Sequence, residues 1–259
     1  MNPLHPRVVV ITGGSAGIGA ALARELARRG GYSIVLASRT AEALQQVAGE
    51  LSATTHTVVA DVTRRVDVER IRDEALKVFG QVDVWVNNAG QGITRPVLEL
   101  TDDDVDAIIA SNVKSVLYGV QAIVPHFKER GTGHVINISS FLGRVPLATI
   151  RSVYSAAKAA VNSLTANLRV DLRRTHPGIN VSLVMPGMVA NDFNRNAIGG
   201  AAPLPPAGAS PMRPQTSEDV AAVIADVIEH PVAEVYTNPA TAGIAKRYYE
   251  DVAAFEAGT

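Results

Sequence analysis

The sequence predicts an α/β fold, a doubly wound parallel sheet with helices on both faces. Three observations lead there. Short β-branched runs alternate with longer stretches of helical periodicity along the chain. The runs are apolar almost without interruption, which suits strands buried on both faces. A glycine-rich turn follows the first run directly and opens a helical stretch.

Taken in order, VVVIT at 8–12 is the first strand, and TGGSAGIG at 12–19 turns it into a helix. SIVLAS at 33–38 and THTVVAD at 55–61 are the second and third strands. Val68, Ile71, Ala75 and Phe79 then repeat at helical spacing. VDVWVNN at 82–88 is the fourth strand, with Trp85, the single tryptophan, in the core. Thr101 followed by three aspartates predicts an N-cap with a carboxylate-rich first turn, and Val105, Ile108 and Ile109 continue that helix over about 102–130. HVINIS at 134–139 and INVSLVMP at 179–186 are the fifth and sixth strands, with a helix over about 152–175 between them. GGAAPLPPAGASPMRP at 199–214 is a mobile loop inside the domain, because Thr216 with Asp219 caps a further helix after it.

Bulk properties narrow the function. With 259 residues and 27.3 kDa, the chain is long enough for one well-filled domain over 1–259 and too short for two of ordinary size. A net charge of −1 with 19% charged residues leaves no basic surplus for nucleic acid and no polybasic cluster for an anionic membrane. Cysteine is absent, which removes disulfides, thiolate nucleophiles and sulfur-ligated metals. The six histidines, at 5, 56, 126, 134, 176 and 230, lack paired ligand spacing, so no metal site is expected and they are assigned to the surface or to strand ends. The start MNPLHPR lacks the apolar core of a signal peptide, and no run approaches the ~18 apolar residues of a membrane span. A soluble cytoplasmic protein is the expectation.

Two stretches carry chemistry. In the first, the glycines of residues 12–19 let backbone approach a pyrophosphate at the positive end of the next helix. The spacing Gly13, Gly17, Gly19 differs from GxGxxG, and Ala20 and Ala21 exclude a P-loop. Alone, such a turn can equally be structural. The second, YSAAK at 154–158, places a phenol and an ammonium at i and i+4 on one helical face. A Lys charge about 6 Å away at an effective dielectric of about 20 favours a phenolate by roughly 3 kcal/mol, or about two pKa units, bringing Tyr154 towards general acid–base use. Alone, the pair reads more simply as a Tyr packed on a core helix beside a solvated Lys.

TGGSAGIG, NNAG at 87–90, Asn112 in ASNVKS, ISS at 138–140, YSAAK and the pair Pro186 and Gly187 occur in the order and approximate spacing of the short-chain dehydrogenase/reductase family, which the chain resembles over roughly residues 7–190. The resemblance implies a single-domain Rossmann-type fold. It makes Tyr154 the proton donor to a carbonyl oxygen, or the acceptor from an alcohol. Lys158 would hold the nicotinamide ribose and lower the Tyr154 pKa. Ser140, preferred to Ser139 because it directly precedes an apolar step and a Gly, would hydrogen-bond the substrate oxygen. Asn112, a poor helix former inside a helix, would bind a water linking Lys158 to solvent.

Cofactor contacts follow in the same way: Gly13, Ser15, Gly17, Ile18 and Gly19 at the first turn; Asp61 and Val62 around the adenine; Asn88 near the adenosine ribose, with Ala89 and Gly90; Tyr154 and Lys158; and Pro186, Gly187 and Val189 near the nicotinamide. Where relatives often continue PGxVxT, Asn191 stands in place of the Thr. The Ser140-to-Tyr154 gap is one residue longer than in many relatives, which places an extra loop residue between Arg144 and Val153.

Cofactor choice is read at the end of the second strand, about 20 residues beyond the turn, where NAD-specific proteins carry an acid for the ribose 2′-hydroxyl. Ser38 stands there and Arg39 follows, a neutral residue and a guanidinium suited to a 2′-phosphate, so NADP(H) is expected over NAD(H). A solvated Arg after a strand is the alternative. Residues 193–216 are expected to form a lid, with Leu142, Val145, Leu147, Met188 and Phe193 lining an apolar pocket and Arg144 or Arg195 near its mouth. The expected substrate is a medium-sized, partly apolar ketone, which leaves a 3-oxoacyl thioester, a steroid-like ring and a polyketide open. In relatives, helices equivalent to 102–130 and 152–175 pair across a two-fold axis. Val116, Ile123, Val161 and Leu168 are assigned to their outer faces, so a homodimer or homotetramer is expected. A nucleotide-binding regulatory or scaffold protein without turnover is the alternative function. Asn112, Ser140 and Tyr154 argue against it, since binding alone needs none of them.

Overall fold

Strand β1 (Arg7–Thr12) shows how the sheet is built: Val9 and Ile11 pack on one face while Val8 and Val10 pack on the other, all four buried. Alternate side chains of a strand point to opposite faces, so a continuously apolar strand feeds two cores at once. The same holds for β2 (Tyr32–Ser38), β4 (Val84–Asn87), β5 (Gly133–Ile138) and β6 (Ile179–Met185). The structure is a computed structural model, and it describes residues 6–201 and 213–258.

With β3 (Thr55–Val59) and β7 (Glu234–Tyr236), the strands form a seven-stranded sheet in the order β3-β2-β1-β4-β5-β6-β7, every neighbouring pair parallel. Six strands match the predicted runs. The seventh, three half-exposed residues paired with Leu183–Met185, is too short and too polar to announce itself.

One face of the sheet is covered by α1 (Gly17–Arg29) and α7 (Ser217–Glu229), with α2 (Ala41–Gly49) beside β2. The other face packs against α3 (Arg65–Phe79), α5 (Ser115–Arg130) and α6 (Ser152–Thr175). Val68, Ile71 and Ala75 are buried there as their spacing predicts, and Trp85 is fully buried. α8 (Pro239–Glu250) and α9 (Val252–Ala257) follow β7. Both predicted caps are complete capping boxes, Thr101 with Asp104 on α4 (Asp102–Ile109) and Thr216 with Asp219 on α7.

The predicted helix over 102–130 is continuous but not uniform. Between α4 and α5, residues 110–114 form a π turn centred on Asn112. Within this 29-residue stretch an 18-residue window has a mean hydropathy of 1.4, so by length and composition it could cross a membrane, although no unbroken apolar run marks it in the sequence. Half of its apolar window is buried inside the protein, as in the core helix of a globular fold.

Two surface expectations are corrected. Val116, Ile123 and Val161 are buried within the chain, and Leu168 packs against the same core. Helical spacing shows that apolar residues share a face, but not whether that face meets the chain's own sheet or another chain. Of the histidines, His134 is at a strand end as expected but only 2% exposed. The central part of the expected lid, 202–212, lies outside the described residues, as does His5.

Candidate active site

In a parallel sheet all carboxyl ends lie on one edge, and a crevice opens where the chain reverses its winding direction, here between β1 and β4. The predicted segments at 12–19, 38–39, 61–62, 88–90, 140 and 186–189 all follow carboxyl ends of strands and so gather on that edge.

The first turn is shaped by its glycines. Gly13 (φ 68°) and Gly17 (φ 51°) hold left-handed conformations, and a Cβ on Gly19 would lie 2.2 Å from the Gly13 carbonyl oxygen. Because no side chain caps α1, its first N–H groups lack a side-chain acceptor, which suits an anion. The turn is fastened to β4: the Asn88 Nδ2 donates to the carbonyls of Thr12 (2.9 Å) and Gly13 (3.2 Å), while Thr12 Oγ1 accepts from the Asn88 and Ala89 amides. The Asn88 side chain therefore holds the loop in place. The Asn191 amide comes within 3.3 Å of a Cβ built on Gly17 and donates to Ser217 Oγ. These open backbone donors and the side-chain-free cradle fit the diphosphate of a dinucleotide.

Farther along the edge, Ser38 is partly exposed, its Oγ accepting from the Thr40 amide, and Arg39 is exposed. Asp61 turns its carboxylate back to the Thr63 amide and hydroxyl. Ala89 and Gly90 lead towards Asn112 and Lys158; a Cβ on Gly90 would lie 2.7 Å from Asn112 Oδ1 and 3.6 Å from Lys158 Nζ. Behind Gly187, Asn238 and Thr241 stand at van der Waals distance. Val189 pairs with Gln215.

Asn112 is fully buried in the π turn, where the widened ring brings its Nδ2 to the carbonyls of Gln91 (2.9 Å) and Ile108 (3.1 Å). Ser139 and Ser140 point to different tasks. Ser139 Oγ is committed to the Asn162 Oδ1 and the Lys158 carbonyl, whereas the Ser140 hydroxyl meets the Tyr154 phenol. On the first turns of α6, Tyr154 and Lys158 face this edge, with Lys158 Nζ 5.6 Å from the Tyr154 ring centroid and donating to the Ile138 carbonyl at 2.9 Å.

The electrostatics differ from expectation. Burial pushes the Tyr154 phenol up to about 12, opposed by the Ser140 hydrogen bond and then by the Arg151 charge. Burial also lowers Lys158 to about 8. The Lys158 attraction on which the sequence estimate rested does not operate: lowered to about 8, Lys158 loses its charge before Tyr154 ionises, and the one charge opposing the desolvation of the phenol is that of Arg151. Tyr154 is thus held protonated at neutral pH, the state a general acid needs.

The pocket is also revised. Leu142 packs beside Tyr154, and Phe193 stacks on it with ring centroids 5.6 Å apart. Val145 and Leu147 instead join Phe141, Ile244 and Ala245 in a separate core. Arg144 pairs with Glu234 and exposed Arg195 with Asp192, so neither guards the site. The cation that does is Arg151, which donates to the Ile93 carbonyl at 3.0 Å and to Asn194 Oδ1. It stands three residues before Tyr154, a spacing that places both on one helical side and could have revealed it.

The short chain dehydrogenase family pattern matches residues 7–199. An uncharacterized oxidoreductase of Staphylococcus epidermidis is 35% identical over 189 residues, 73% of this chain and 80% of that protein. Among solved structures, a short-chain dehydrogenase/reductase of Burkholderia phymatum in complex with NAD superposes with TM-score 0.85 at 27% identity, covering 98% of this chain and 96% of that one. The closed form of a serine dehydrogenase complexed with NADP+ gives TM-score 0.80 at 28% identity, over 90% and 95% of the two chains. The family match spans most of the chain and the superposition spans the whole fold, and the chain belongs to the short-chain dehydrogenase/reductase family of oxidoreductases.

Proposed function

We propose that this protein is an NADP(H)-dependent oxidoreductase interconverting a carbonyl and a secondary alcohol, of the ketone or 3-oxoacyl reductase class. The observation that carries it is the convergence of Ser140, Tyr154 and Lys158 on the sheet edge that also holds the glycine cradle. In reduction, the Ser140 hydroxyl donates a hydrogen bond to the substrate oxygen and fixes it beside the phenol. Tyr154 delivers its proton to that oxygen as negative charge develops on it. Lys158 stands behind the ring, and Asn112 holds the Gln91 backbone and the π turn in place. A bound nicotinamide supplies or accepts the hydride. A ketone panel followed by NADPH absorbance tests the proposal; absence of turnover across it would favour a binding protein of the same fold.

Cofactor preference rests on Ser38 and Arg39. One charge-assisted contact contributes roughly 1.5–3 kcal/mol, so NADPH should exceed NADH in kcat/KM by about 10- to 100-fold. Ser38→Asp combined with Arg39→Ala is expected to invert that order. A wild type that works better with NADH shows that Arg39 is only a solvated residue after a strand.

The proposal places the protein in the cytoplasm as a single domain over 1–259 that assembles as a homodimer or homotetramer with closed symmetry. With Val116, Ile123 and Val161 buried, the apolar surface left on α6 is Leu164, 41% exposed, and Val170, 62% exposed. Light scattering at micromolar concentration is expected to give two or four times the 27.3 kDa chain mass, and Leu164→Glu with Val170→Glu to lower it. A wild-type monomer counts against the assembly.

A further inference from the structure

Arg151 has a role the proposed chemistry does not use. Its guanidinium is half-buried at the head of α6, beside the Tyr154 phenol whose acidity it influences. Its two recorded hydrogen bonds go to neutral acceptors, the Ile93 carbonyl and the Asn194 amide oxygen. Among the described residues no carboxylate pairs with it, and the 202–212 segment contains no Asp or Glu. The arginines around it differ: Arg95 pairs with Asp104, Arg144 with Glu234, and Arg195 with Asp192. A guanidinium cation taken partly out of water without a counter-charge is costly. Here it stands next to the proposed proton donor.

The floor of the same space is Gly92, where a Cβ would lie 2.9 Å from Arg151 Nη1 and 2.9 Å from Phe193 Cε1. The guanidinium and the Phe193 ring both press on Gly92, and the same Phe193 ring packs on Tyr154, so the three side chains meet at one place on the edge of the site. We infer that Arg151 receives the carboxylate of the substrate, so that the enzyme acts on short hydroxy acids and the corresponding oxo acids. A carboxylate fits better than a phosphate, because a planar fork matches a planar monoanion and the neighbouring Arg95, bridged to Arg151 through the backbone, is already paired with Asp104. The carboxylate would supply the missing counter-charge while the carbinol carbon lies between Ser140 and Tyr154. In reduction, the direction for which Tyr154 is protonated, the bound NADPH gives a hydride to the carbonyl carbon, the phenol gives its proton to the carbonyl oxygen, and the product is the hydroxy acid; oxidation is the reverse of the same steps.

This inference rests on the proposed oxidoreductase function, and the test separates the two. Purified protein with NADP+ is given 2-hydroxybutyrate, 3-hydroxybutyrate and the methyl ester of each, and both turnover and the melting temperature are read. Wild type is expected to prefer one of the acids over its ester by about tenfold or more, the scale of one charge-assisted contact. Arg151→Met should raise KM for that acid about 10- to 100-fold and leave KM for the ester unchanged, with any change in kcat that passes through Tyr154 falling equally on acid and ester. Arg151→Lys, which keeps the charge without the fork, should keep a reduced preference. The acid should raise the melting temperature of wild type with NADP+ but not that of Arg151→Met. Equal losses on acid and ester would show that Arg151 only positions the segment around Ile93 and Asn194, and a wild-type preference for the esters overturns the inference outright. Failure of every substrate to turn over sinks the oxidoreductase proposal instead, while the melting shift still decides whether Arg151 takes a carboxylate.

Discussion

Tyr154→Phe is expected to lower turnover by about 10² or more, the scale of removing a positioned acid or base, while nucleotide binding stays near normal. The substitution removes one oxygen. The ring that packs against Phe193 at 5.6 Å and beside Leu142 is retained, so the wall of the site should not collapse. Lys158 keeps its hydrogen bond to the Ile138 carbonyl, which does not involve the phenol. What disappears is the transferable proton that burial holds on Tyr154 at neutral pH. The check is kcat for ketone reduction alongside NADPH affinity by fluorescence quenching. Near-normal turnover in the variant would remove Tyr154 from the chemistry. Loss of turnover together with nucleotide binding would instead show that the ring, not the hydroxyl, was needed.

The second large effect concerns stability in mild acid. His134 is buried at the start of β5, where its Nε2 meets Ser182 Oγ at 2.8 Å, and Ser182 in turn donates to the Val232 carbonyl. Nε2 is therefore the protonated nitrogen, and Nδ1 has no partner among the described residues. Arg7 and Asp83 line the same pocket, Asp83 being paired with Arg130. Burial, reinforced by the Arg7 charge, lowers His134 from 6.5 to about 3. Because the folded value lies below the unfolded one, the unfolded chain binds the extra proton first. Stability is complete above about pH 6.5 and falls as pH drops towards 3, by about 5 kcal/mol over the whole window. Between pH 7.5 and 5.0 the expected loss is about 2 kcal/mol. Glu25 and Asp67, whose carboxyls are held below their usual values, titrate beneath that interval. Urea unfolding at the two pH values should show a loss about 2 kcal/mol larger in wild type than in His134→Gln, whose amide can still donate to Ser182; His126, also lowered by burial, contributes equally to both proteins. A wild type equally stable at both would mean that the imidazole is not buried neutral in solution.

Much of the fold was legible because its signals are local. Unbroken apolar strands, helical spacing and two capping boxes each depend on residues within a few positions of one another. Strand β7 was not legible, since three half-exposed residues become a strand only when Leu183–Met185 is already in place beside them. The facing of Val116, Ile123 and Val161 was missed for a related reason: periodicity identifies an apolar stripe but not its neighbour.

By itself the sequence determined the parallel doubly wound sheet, the glycine cradle and the residue types of the proposed chemistry, because each follows from spacing along the chain. The tertiary structure alone decided what surrounds those residues. It spent the Asn88 amide on the first turn and Ser139 on Asn162, leaving the Ser140 hydroxyl for Tyr154. It sent Arg144 to Glu234, a residue distant in sequence, and left Arg151 without a carboxylate beside the phenol. It also reversed the direction in which the Tyr154 acidity moves, because desolvation depends on everything packed around a group and no spacing along a chain encodes it.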